Sequence, residues 1–268
     1  MRIIILVDNN TRNTLQAEWG LSLFIEYEGH RILLDAGTTG IFADNAEAVG
    51  ISVEEIDLAV LSHAHYDHAD GLERFFQENK KAKCYIQSCC GADCYDRKKN
   101  KYIGIREGLL ETWEDRFVRV EGDHELFPGV TLLPHRTEGL EKLGEKVGMY
   151  RYLDGVWKPD DFSHEQSLVF ETKRGLVICN SCCHGGADHI IEEVKQAFPG
   201  KKVYALIGGL HLYKASDGEV LALADKIRET GIERVYTGHC TGERAMELLK
   251  RELGDMAVEI YTGMEMEI

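Results

Sequence analysis

The sequence predicts an α/β sandwich, in which layers of strands are covered by helices on their outer faces. The chain has 268 residues, of which 44% are hydrophobic, so it can bury a sizeable core as one large domain or two closely packed halves. Short apolar runs of strand length alternate with segments of helical spacing. Turn residues separate these segments, and no long polar or repetitive tract interrupts them.

Predicted strands and helices follow one another closely through most of the chain. Two apolar runs flank Glu28-Gly29, and this pattern predicts a hairpin. A segment of helical spacing stops at Gly50, where a helix end is expected because glycine is common just after a helix. The N-terminal elements are strands over Ile3–Val7, Leu21–Tyr27 and Arg31–Leu34, a helix over Phe42–Val49, a strand over Leu58–Leu61 and a helix over Gly71–Asn79. The C-terminal elements are a hairpin of Ser167–Glu171 and Leu176–Cys179, a helix over His189–Ala197, a strand over Val203–Ile207, a helix over Glu219–Thr230, a strand over Arg234–Tyr236, a helix over Glu243–Leu253 and a strand over Val258–Tyr261.

The middle of the chain, residues 84–161, has a less regular pattern. It contains lysine-rich and glycine-rich pieces, such as Asp96–Lys101 and Gly139–Gly148. An irregular stretch of this length inside a compact domain is usually a lid or a binding insertion. We therefore predict a single domain over residues 1–268, with a lid or substrate insertion over residues 84–161.

The charge and the N-terminus limit the classes of partner. The formal net charge is −15, so the surface as a whole repels the anionic backbone of nucleic acids, although a local basic pocket can still bind a small phosphorylated molecule. The N-terminal apolar run is about five residues long, too short for a signal peptide or a membrane span. We expect a cytoplasmic protein that binds neither nucleic acid nor membrane.

Eight cysteines without an export signal favour a reducing compartment and free thiols. Cys89, Cys90 and Cys94 lie close together in the sequence. A CxxC spacing is missing, so we favour small thiols packed in the core or the lid over a second metal site or a redox pair.

The strongest chemical signal is the segment His63-x-His65-x-Asp67-His68, directly after an apolar strand. Alternate residues that leave a strand point the same way, so His63 and His65 can hold one cation together. Asp67 and His68 lie at the next bend and can reach a second cation. Imidazole nitrogens and carboxylate oxygens are good ligands for Zn²⁺ and similar ions. The alternative, a polar loop of solvated histidines, does not explain four ligand-capable residues within six positions.

Three later histidines follow apolar strands or lie beside glycine: His184, His211 and His239. Functional sites are commonly built at strand ends, and glycine allows the backbone to approach a ligand closely. Each histidine alone could be an ordinary core or surface residue. In a chain that already has the His63–His68 cluster, we favour one shared site.

The segment HAHYDH resembles the signature of the metallo-β-lactamase superfamily, and the upstream LLDAG is similar to the strand of that family that ends in a structural aspartate, here Asp35. The resemblance implies an αββα sandwich with a lid insertion. In the family the HxH histidines bind one metal ion and the Asp-His pair binds a second. This implies that His63 and His65 hold the first ion, and that Asp67 and His68 hold the second.

The remaining ligands implied by the resemblance depart from the family pattern. Where the family has its bridging aspartate, this chain reads Ser181-Cys182-Cys183-His184. Cys182 thus takes the bridging position and His184 becomes the third ligand of the first ion. His239 is chosen as the last ligand of the second ion. His211 competes for that role and is assigned to proton donation or to contact with a substrate phosphate.

A narrower resemblance covers nearly the whole chain. The segments EWGLSLFIEYEGHRILLDAG, KYIGIREG, NSCCHGG, IGGLHL and TGHCTG are similar to a subgroup related to dihydropterin-ribofuranosylaminobenzene-phosphate synthase. Glu18 and Asn45 lie in such segments and either line the pocket or serve as a cap and a turn partner. His164 is left out of the site, since the subgroup has an acidic residue there. The remaining histidines are expected on the surface or in turns: His30, His124, His135 and His189.

These features predict a metal-dependent hydrolase, or a related lyase or synthase, for a small, anionic and phosphorylated substrate. Zn²⁺, as one or two ions, is the expected metal, with Mn²⁺ or Fe²⁺ as alternatives. Asp67 would orient the attacking water, and His211 or His239 would stabilise the developing oxyanion. A binding or sensor protein is the main alternative, because Cys182 alters the bridging position. A di-iron redox enzyme ranks lower, because such relatives have Glu where this chain has His65. A nuclease is disfavoured by the net charge.

Overall fold

The computed structural model describes residues 1–268 and contains eight α-helices and eighteen strands. The helices are α1 Ile41–Ala48, α2 Tyr66–Ala69, α3 Leu72–Glu78, α4 Leu109–Thr112, α5 Glu141–Val147, α6 Ala187–Ala197, α7 Asp217–Glu229 and α8 Glu243–Leu253. The strands are β1 Arg2–Val7, β2 Ser22–Tyr27, β3 His30–Leu34, β4 Leu58–Val60, β5 Lys83–Gln87, β6 Cys94–Asp96, β7 Lys101–Tyr102, β8 Phe117–Val120, β9 His124–Phe127, β10 Val130–Pro134, β11 Met149–Leu153, β12 Val156–Pro159, β13 Gln166–Thr172, β14 Gly175–Cys179, β15 Val203–Ile207, β16 Arg234–Thr237, β17 Ala257–Glu259 and β18 Glu265–Glu267.

Two seven-stranded sheets form the body of the molecule, with the orders β18-β1-β2-β3-β4-β5-β8 and β17-β16-β15-β14-β13-β10-β9. In each sheet, four strands at one end pair antiparallel and the pairings toward the other end are parallel. The two halves of the chain therefore repeat one arrangement, although no repeat is evident in the sequence.

The strand pleat distributes the apolar side chains among three cores, which define a four-layer order. Successive residues of a strand face opposite sides of the sheet. In β1, Ile3 and Ile5 pack in a core that also takes Val177 from β14, while Ile4 packs with the helices of the first half. In β14, Ile178 packs instead with helices α6 to α8. The layers are helix, sheet, sheet and helix, which is the predicted αββα sandwich. Burial on both faces explains the continuous apolar runs.

The middle of the chain is more regular than its sequence suggests. Within residues 84–161, strands β5, β8, β9 and β10 belong to the two large sheets. Strands β6, β7, β11 and β12 form a separate four-stranded sheet of order β12-β11-β6-β7, against which α5 lies. We call this small sheet with α5 the lid sheet. Short strands and close turns mask the alternation that would have revealed these elements in the sequence.

Most predicted elements match the observed ones within two residues, and the helix Glu243–Leu253 matches at both ends. The C-terminal strand lies at Ala257–Glu259, slightly before its predicted position, and β18 was not predicted. Strand β18 pairs with β1, more than 260 residues earlier, so its stability comes from a partner that local sequence does not show. None of the helices is both long and apolar enough to cross a membrane.

Candidate metal centre

The candidate site lies where strands from both sheets end. The His63–His68 segment follows β4, and its second half forms the short helix α2. Cys182 and His184 follow β14, His211 follows β15, and His239 follows β16. Ligand sites of α/β proteins favour the carboxyl ends of parallel strands. Packing of one sheet against the other therefore brings together side chains from distant parts of the chain.

Several histidines of this cluster have buried ring nitrogens without any hydrogen-bond partner: His63 Nε2, His65 Nε2, His184 Nδ1 and Nε2, and His211 Nδ1. Leaving a buried polar atom unpaired costs about 1–3 kcal/mol, so such a concentration in one place requires a reason. Burial lowers the pKa values of His63, His65 and His184 well below 6.5. These rings are therefore neutral, the form in which imidazole binds a metal ion.

The rings of His68 and His239 are held from behind by hydrogen bonds. Asp35 Oδ2 lies 2.8 Å from His68 Nδ1, and Asn9 Oδ1 lies 3.0 Å from His239 Nδ1. Such partners commonly orient a ligand histidine and fix its tautomer. The two Nε2 atoms approach each other at 3.2 Å. Burial lowers the pKa of His239 to about 3. Burial would also lower the pKa of His68, but the Asp67 and Asp35 carboxylates outweigh it and raise that pKa.

Among several groups of ligand-capable atoms, two neighbouring ones share Cys182 and contain predicted ligands, while the ligand atom of His65 lies with those of Cys94, Asp160 and His164. His63, Cys182 and His184 form one group, and His68, Cys182 and His239 form the other, each with its ligand atoms within 4.8 Å of one another. Asp67 adjoins the second group, since its Oδ2 lies 3.5 Å from His239 Nε2. The unpartnered nitrogens, the neutral imidazoles and the mixed N, O and S donors fit one or two Zn²⁺-like ions.

The backbone at this site is held in an uncommon conformation. Asp35, Cys183, His211 and His239 have φ values of 58°, 51°, 50° and 47°. Left-handed backbone at residues other than glycine costs free energy and persists where the surrounding structure imposes it. Here it occurs in the loops that carry Cys182, His211 and His239, and at Asp35 behind His68, a geometry that the sequence does not signal.

A cavity of about 320 Å³ opens onto the centre. Six of the eight predicted ligands and catalytic residues line this cavity: His65, Asp67, Cys182, His184, His211 and His239. The other two, His63 and His68, do not line it. The lid sheet and its neighbours supply Lys99 and Lys101. The aromatic rings of Trp19, Tyr66 and Tyr213 also line it. The cavity is thus polar at its floor and carries two cationic side chains at its rim, in a protein whose net charge is −15.

Behind His184, a buried ion cluster supports the loop that follows β14. Glu165 accepts hydrogen bonds from the backbone N–H groups of His184 and Gly185 and pairs with His135. His135 Nδ1 lies 3.0 Å from Glu193 Oε2, and the His135 side chain is only 6% exposed. The prediction of a surface or turn role for His135 was therefore wrong. Its two acidic partners lie 30 and 58 residues away, which hid the pairing from local sequence.

Three residues considered in the sequence lie outside the cavity. His164 is buried behind His65, with ring centroids 5.5 Å apart, and its Nε2 lies 3.1 Å from Asp160 Oδ2. Glu18 accepts hydrogen bonds from the backbone of Thr38 and Thr39, and Asn45 bonds the backbone of the Leu6 and Gln16 segments. Glu18 and Asn45 thus hold neighbouring backbone segments in place, and neither is a side-chain cap of helix α1.

All eight cysteines are free thiols in the structure. Cys90 and Cys94 are buried, whereas Cys89 is exposed. Cys94 Sγ lies 3.7 Å from His164 Nε2, so the lid cysteines contact the residues behind His65. Cys240, which was not among the predicted site residues, lines the cavity beside Cys182. Its position in TGHCTG, next to His239, is the only sequence signal for it.

With this geometry established, comparison with known proteins identifies the class. The family model of the metallo-β-lactamase superfamily matches residues 20–149. The fold agrees with that of Tm1679, a metal-dependent hydrolase of the beta-lactamase superfamily, at a TM-score of 0.85 and 27% identity, with 100% of this chain and 99% of that chain covered. The chain therefore has the metallo-β-lactamase fold and is similar to proteins of that superfamily.

The chain is also similar to a synthase. It is 28% identical over 265 residues to the 7,8-dihydropterin-6-methyl-4-(beta-D-ribofuranosyl)-aminobenzene-5'-phosphate synthase of Methanocaldococcus jannaschii, covering 92% of this chain and 89% of that protein. A shorter match, 39% identical over 121 residues, links it to the anti-Pycsar protein Apyc1 of Saccharibacillus brassicae, with 41% of this chain and 48% of that protein covered. These relationships support a metal-dependent enzyme of hydrolase or synthase type.

Proposed function

We propose that the protein is a metal-dependent enzyme that uses an activated water on a small phosphorylated substrate, as a phosphoester hydrolase or a related lyase or synthase. The observation that carries the proposal is the double group of ligand atoms around Cys182, rich in neutral, unpartnered imidazoles, at the floor of the cavity. A bound divalent ion at this place would lower the pKa of a water ligand to about 7 and stabilise negative charge on a reacting oxygen.

In this proposal, His63, His65 and His184 hold one ion, and Asp67, His68 and His239 hold the second, with Cys182 between them. Asp67 lines the cavity and is 7% exposed, so its carboxylate can accept a hydrogen bond from the attacking water and fix its direction. His211 is half-buried at the cavity wall, where it can donate a proton to a leaving group or bind a substrate phosphate oxygen.

The two rim lysines support an anionic substrate. The Lys101 ammonium lies 4.7 Å from the centre of the Tyr66 ring, which places it at the cavity edge. Charge-assisted hydrogen bonds to phosphate contribute about 1.5–3 kcal/mol. The Methanocaldococcus synthase, to judge by its name, makes a product that retains a 5'-phosphate. Phosphate can therefore serve as a handle that Lys99 and Lys101 bind, as well as a reacting group.

Asp67→Asn tests the reaction. Asparagine keeps the size of the side chain but cannot accept a proton from water. We expect the rate of phosphoester hydrolysis, measured on a panel of chromogenic phosphomonoesters and phosphodiesters, to fall about 10²–10⁴-fold. Asp70→Asn is the matched control, since Asp70 lies on the same segment and accepts a hydrogen bond from Arg106 N instead of lining the cavity. Equal turnover by wild type and Asp67→Asn would reject the proposed role.

The binding alternative has its own observation, the thiol of Cys182 in place of a bridging carboxylate. A sensor would retain a ligand tightly and turn over nothing across a broad panel of phosphoesters. Metal content of protein purified without chelator narrows the choice further. About two equivalents of Zn²⁺ or Mn²⁺ per chain favour the dinuclear enzyme, whereas iron together with oxygen consumption would favour the redox reading.

A further inference from the structure

A second set of soft ligand atoms lies at the cavity floor, beside the centre proposed above. Cys182 Sγ, Cys240 Sγ and a ring nitrogen of His211 lie within 4.8 Å of one another. All three residues line the cavity, and both cysteines are buried. Cys240 has no assigned role in the proposed reaction.

The distance between the two sulfurs is close to the sulfur–sulfur distance expected for two thiolates that bind one metal ion. Cys182 Sγ and Cys240 Sγ are 3.4 Å apart. Two thiolates on one tetrahedral Zn²⁺, each with a metal–sulfur distance of about 2.3 Å, are separated by about 3.8 Å. A disulfide would need a separation of about 2.05 Å and a much larger movement. The present spacing is therefore close to that of a dithiolate chelate.

The backbone around Cys240 leaves room for its sulfur and supplies a hydrogen-bond donor to it. A side chain at Gly209 would place its Cβ 2.5 Å from Cys240 Sγ, so glycine is needed for the sulfur to reach its position. The backbone N–H of His211 donates to Cys240 Sγ at 3.3 Å, the type of contact that stabilises a thiolate. His211 Nδ1 is buried and has no partner. Simple packing of two thiols leaves that unpartnered nitrogen without an explanation.

We propose that Cys182, Cys240 and His211 form a thiolate-rich site for a thiophilic divalent ion, with its fourth position open to the cavity. Two cysteine thiols lose their protons to solvent, two sulfur–metal bonds form, and no redox change is involved. Soft sulfur donors favour Zn²⁺ or Cd²⁺ over Mg²⁺ or Mn²⁺. The inference rests on the proposed function through Cys182, which belongs to both ligand sets, and it assigns His211 to this ion instead of to the leaving group or the substrate phosphate.

Cobalt substitution tests this site on the full-length protein. Co²⁺ bound by cysteine shows a thiolate-to-metal charge-transfer band whose intensity rises with the number of thiolate ligands. We expect the band of each single variant, Cys240→Ser and Cys182→Ser, to be about half as intense as that of the reduced, cobalt-loaded wild type. The band should vanish in the double variant. A Cys240→Ser band equal to that of wild type would overturn the inference, since Cys182 alone would then be the sulfur ligand.

Cys183→Ser is the matched control, because Cys183 is buried beside Cys182 but its Sγ contacts the backbone oxygen of Asn180. Its band should equal that of wild type. His211→Ala provides a second variant that leaves both sulfurs in place, and it should weaken Cd²⁺ binding at least tenfold. Unchanged Cd²⁺ affinity would contradict the assignment of His211.

The proposed function and this inference can fail separately. Phosphoester turnover by the zinc-loaded wild type tests only the former. A two-thiolate cobalt band without turnover would support the inference and reject the hydrolase, whereas turnover with a one-thiolate band would do the reverse.

Discussion

Asp35 shows how much of the proposed centre depends on single residues behind the ligands. Its carboxylate is fully buried and accepts hydrogen bonds from Ser62 N at 2.7 Å and Ser62 Oγ at 2.6 Å, and it lies 2.8 Å from His68 Nδ1. One side chain thus orients His68 and anchors the start of the segment that carries His63. These hydrogen bonds to both carboxylate oxygens offset the free-energy cost of burying the acidic group.

Asp35→Asn should weaken metal binding about 10–100-fold, because the amide nitrogen cannot accept the hydrogen bonds that a carboxylate oxygen accepts. Competition with a chromophoric chelator measures the affinity. Asp44→Asn provides the control, since Asp44 lies on the surface and pairs with Arg74. An affinity as high as that of wild type would show that Asp35 does not orient the ligands.

At the scale of elements, the His135–Glu193 pair joins helix α6 to the segment after β10. Glu193 also accepts hydrogen bonds from the backbone of Arg136 and Thr137. Burial opposes the charge on His135, but hydrogen bonds to Glu165 and Glu193 raise its pKa to about 10. Burial also opposes the charge on Glu193, but its hydrogen bond with His135 lowers its pKa to about 2. The charged pair therefore holds His135 against Glu165, which binds the backbone of the loop that carries His184.

These shifts predict a pH window. The raised pKa of His135 contributes stability that is complete below 6.5 and is lost as the pH rises toward 10. The lowered pKa of Glu193 contributes stability that is complete above 4.5 and is lost as the pH falls toward 2. His135→Ala should lower the free energy of unfolding by about 3–5 kcal/mol between these limits, and by less at alkaline pH.

Urea unfolding of the metal-free protein across this pH range measures the effect. His189→Ala is the matched control, because the His189 side chain is 43% exposed. A difference between wild type and His135→Ala that stays constant up to pH 10 would contradict the charged pair.

For the whole molecule, the proposed ligands connect two halves with separate outer cores. His63, His65, Asp67 and His68 come from the first half, and Cys182, His184 and His239 come from the second. An ion held by both sets binds the folded chain far better than the unfolded chain. Metal binding should therefore stabilise the contact between the two sheets.

Removal of metal by a chelator should lower the free energy of unfolding by about 3–4 kcal/mol relative to protein in excess Zn²⁺, with recovery when Zn²⁺ returns. Thermal unfolding monitored by circular dichroism measures the change. The variant His63→Ala should respond much less to the chelator. Identical melting curves with and without metal would argue against a centre shared by the two halves.

Local signals predicted a large part of this architecture. The run Ile3–Val7 and the helix Glu243–Leu253 were found from apolar spacing alone, because strand and helix periods are written into neighbouring residues. The lid strands were missed, since β6 and β7 have only three and two residues, and strand β18 of the first large sheet was missed because it depends on pairing with β1. Short elements carry too few residues for a period to show.

By itself, the sequence determined the α/β sandwich and the His63–His68 cluster, because periodicity and ligand spacing are properties of adjacent residues. Only the tertiary structure decided which later side chains meet that cluster. His135 pairs with Glu193 behind the cluster. Cys240 meets Cys182 across 58 residues of chain, because the ends of β14, β15 and β16 lie at one edge of the second sheet. Such meetings are set by strand order and sheet packing, which no local pattern encodes.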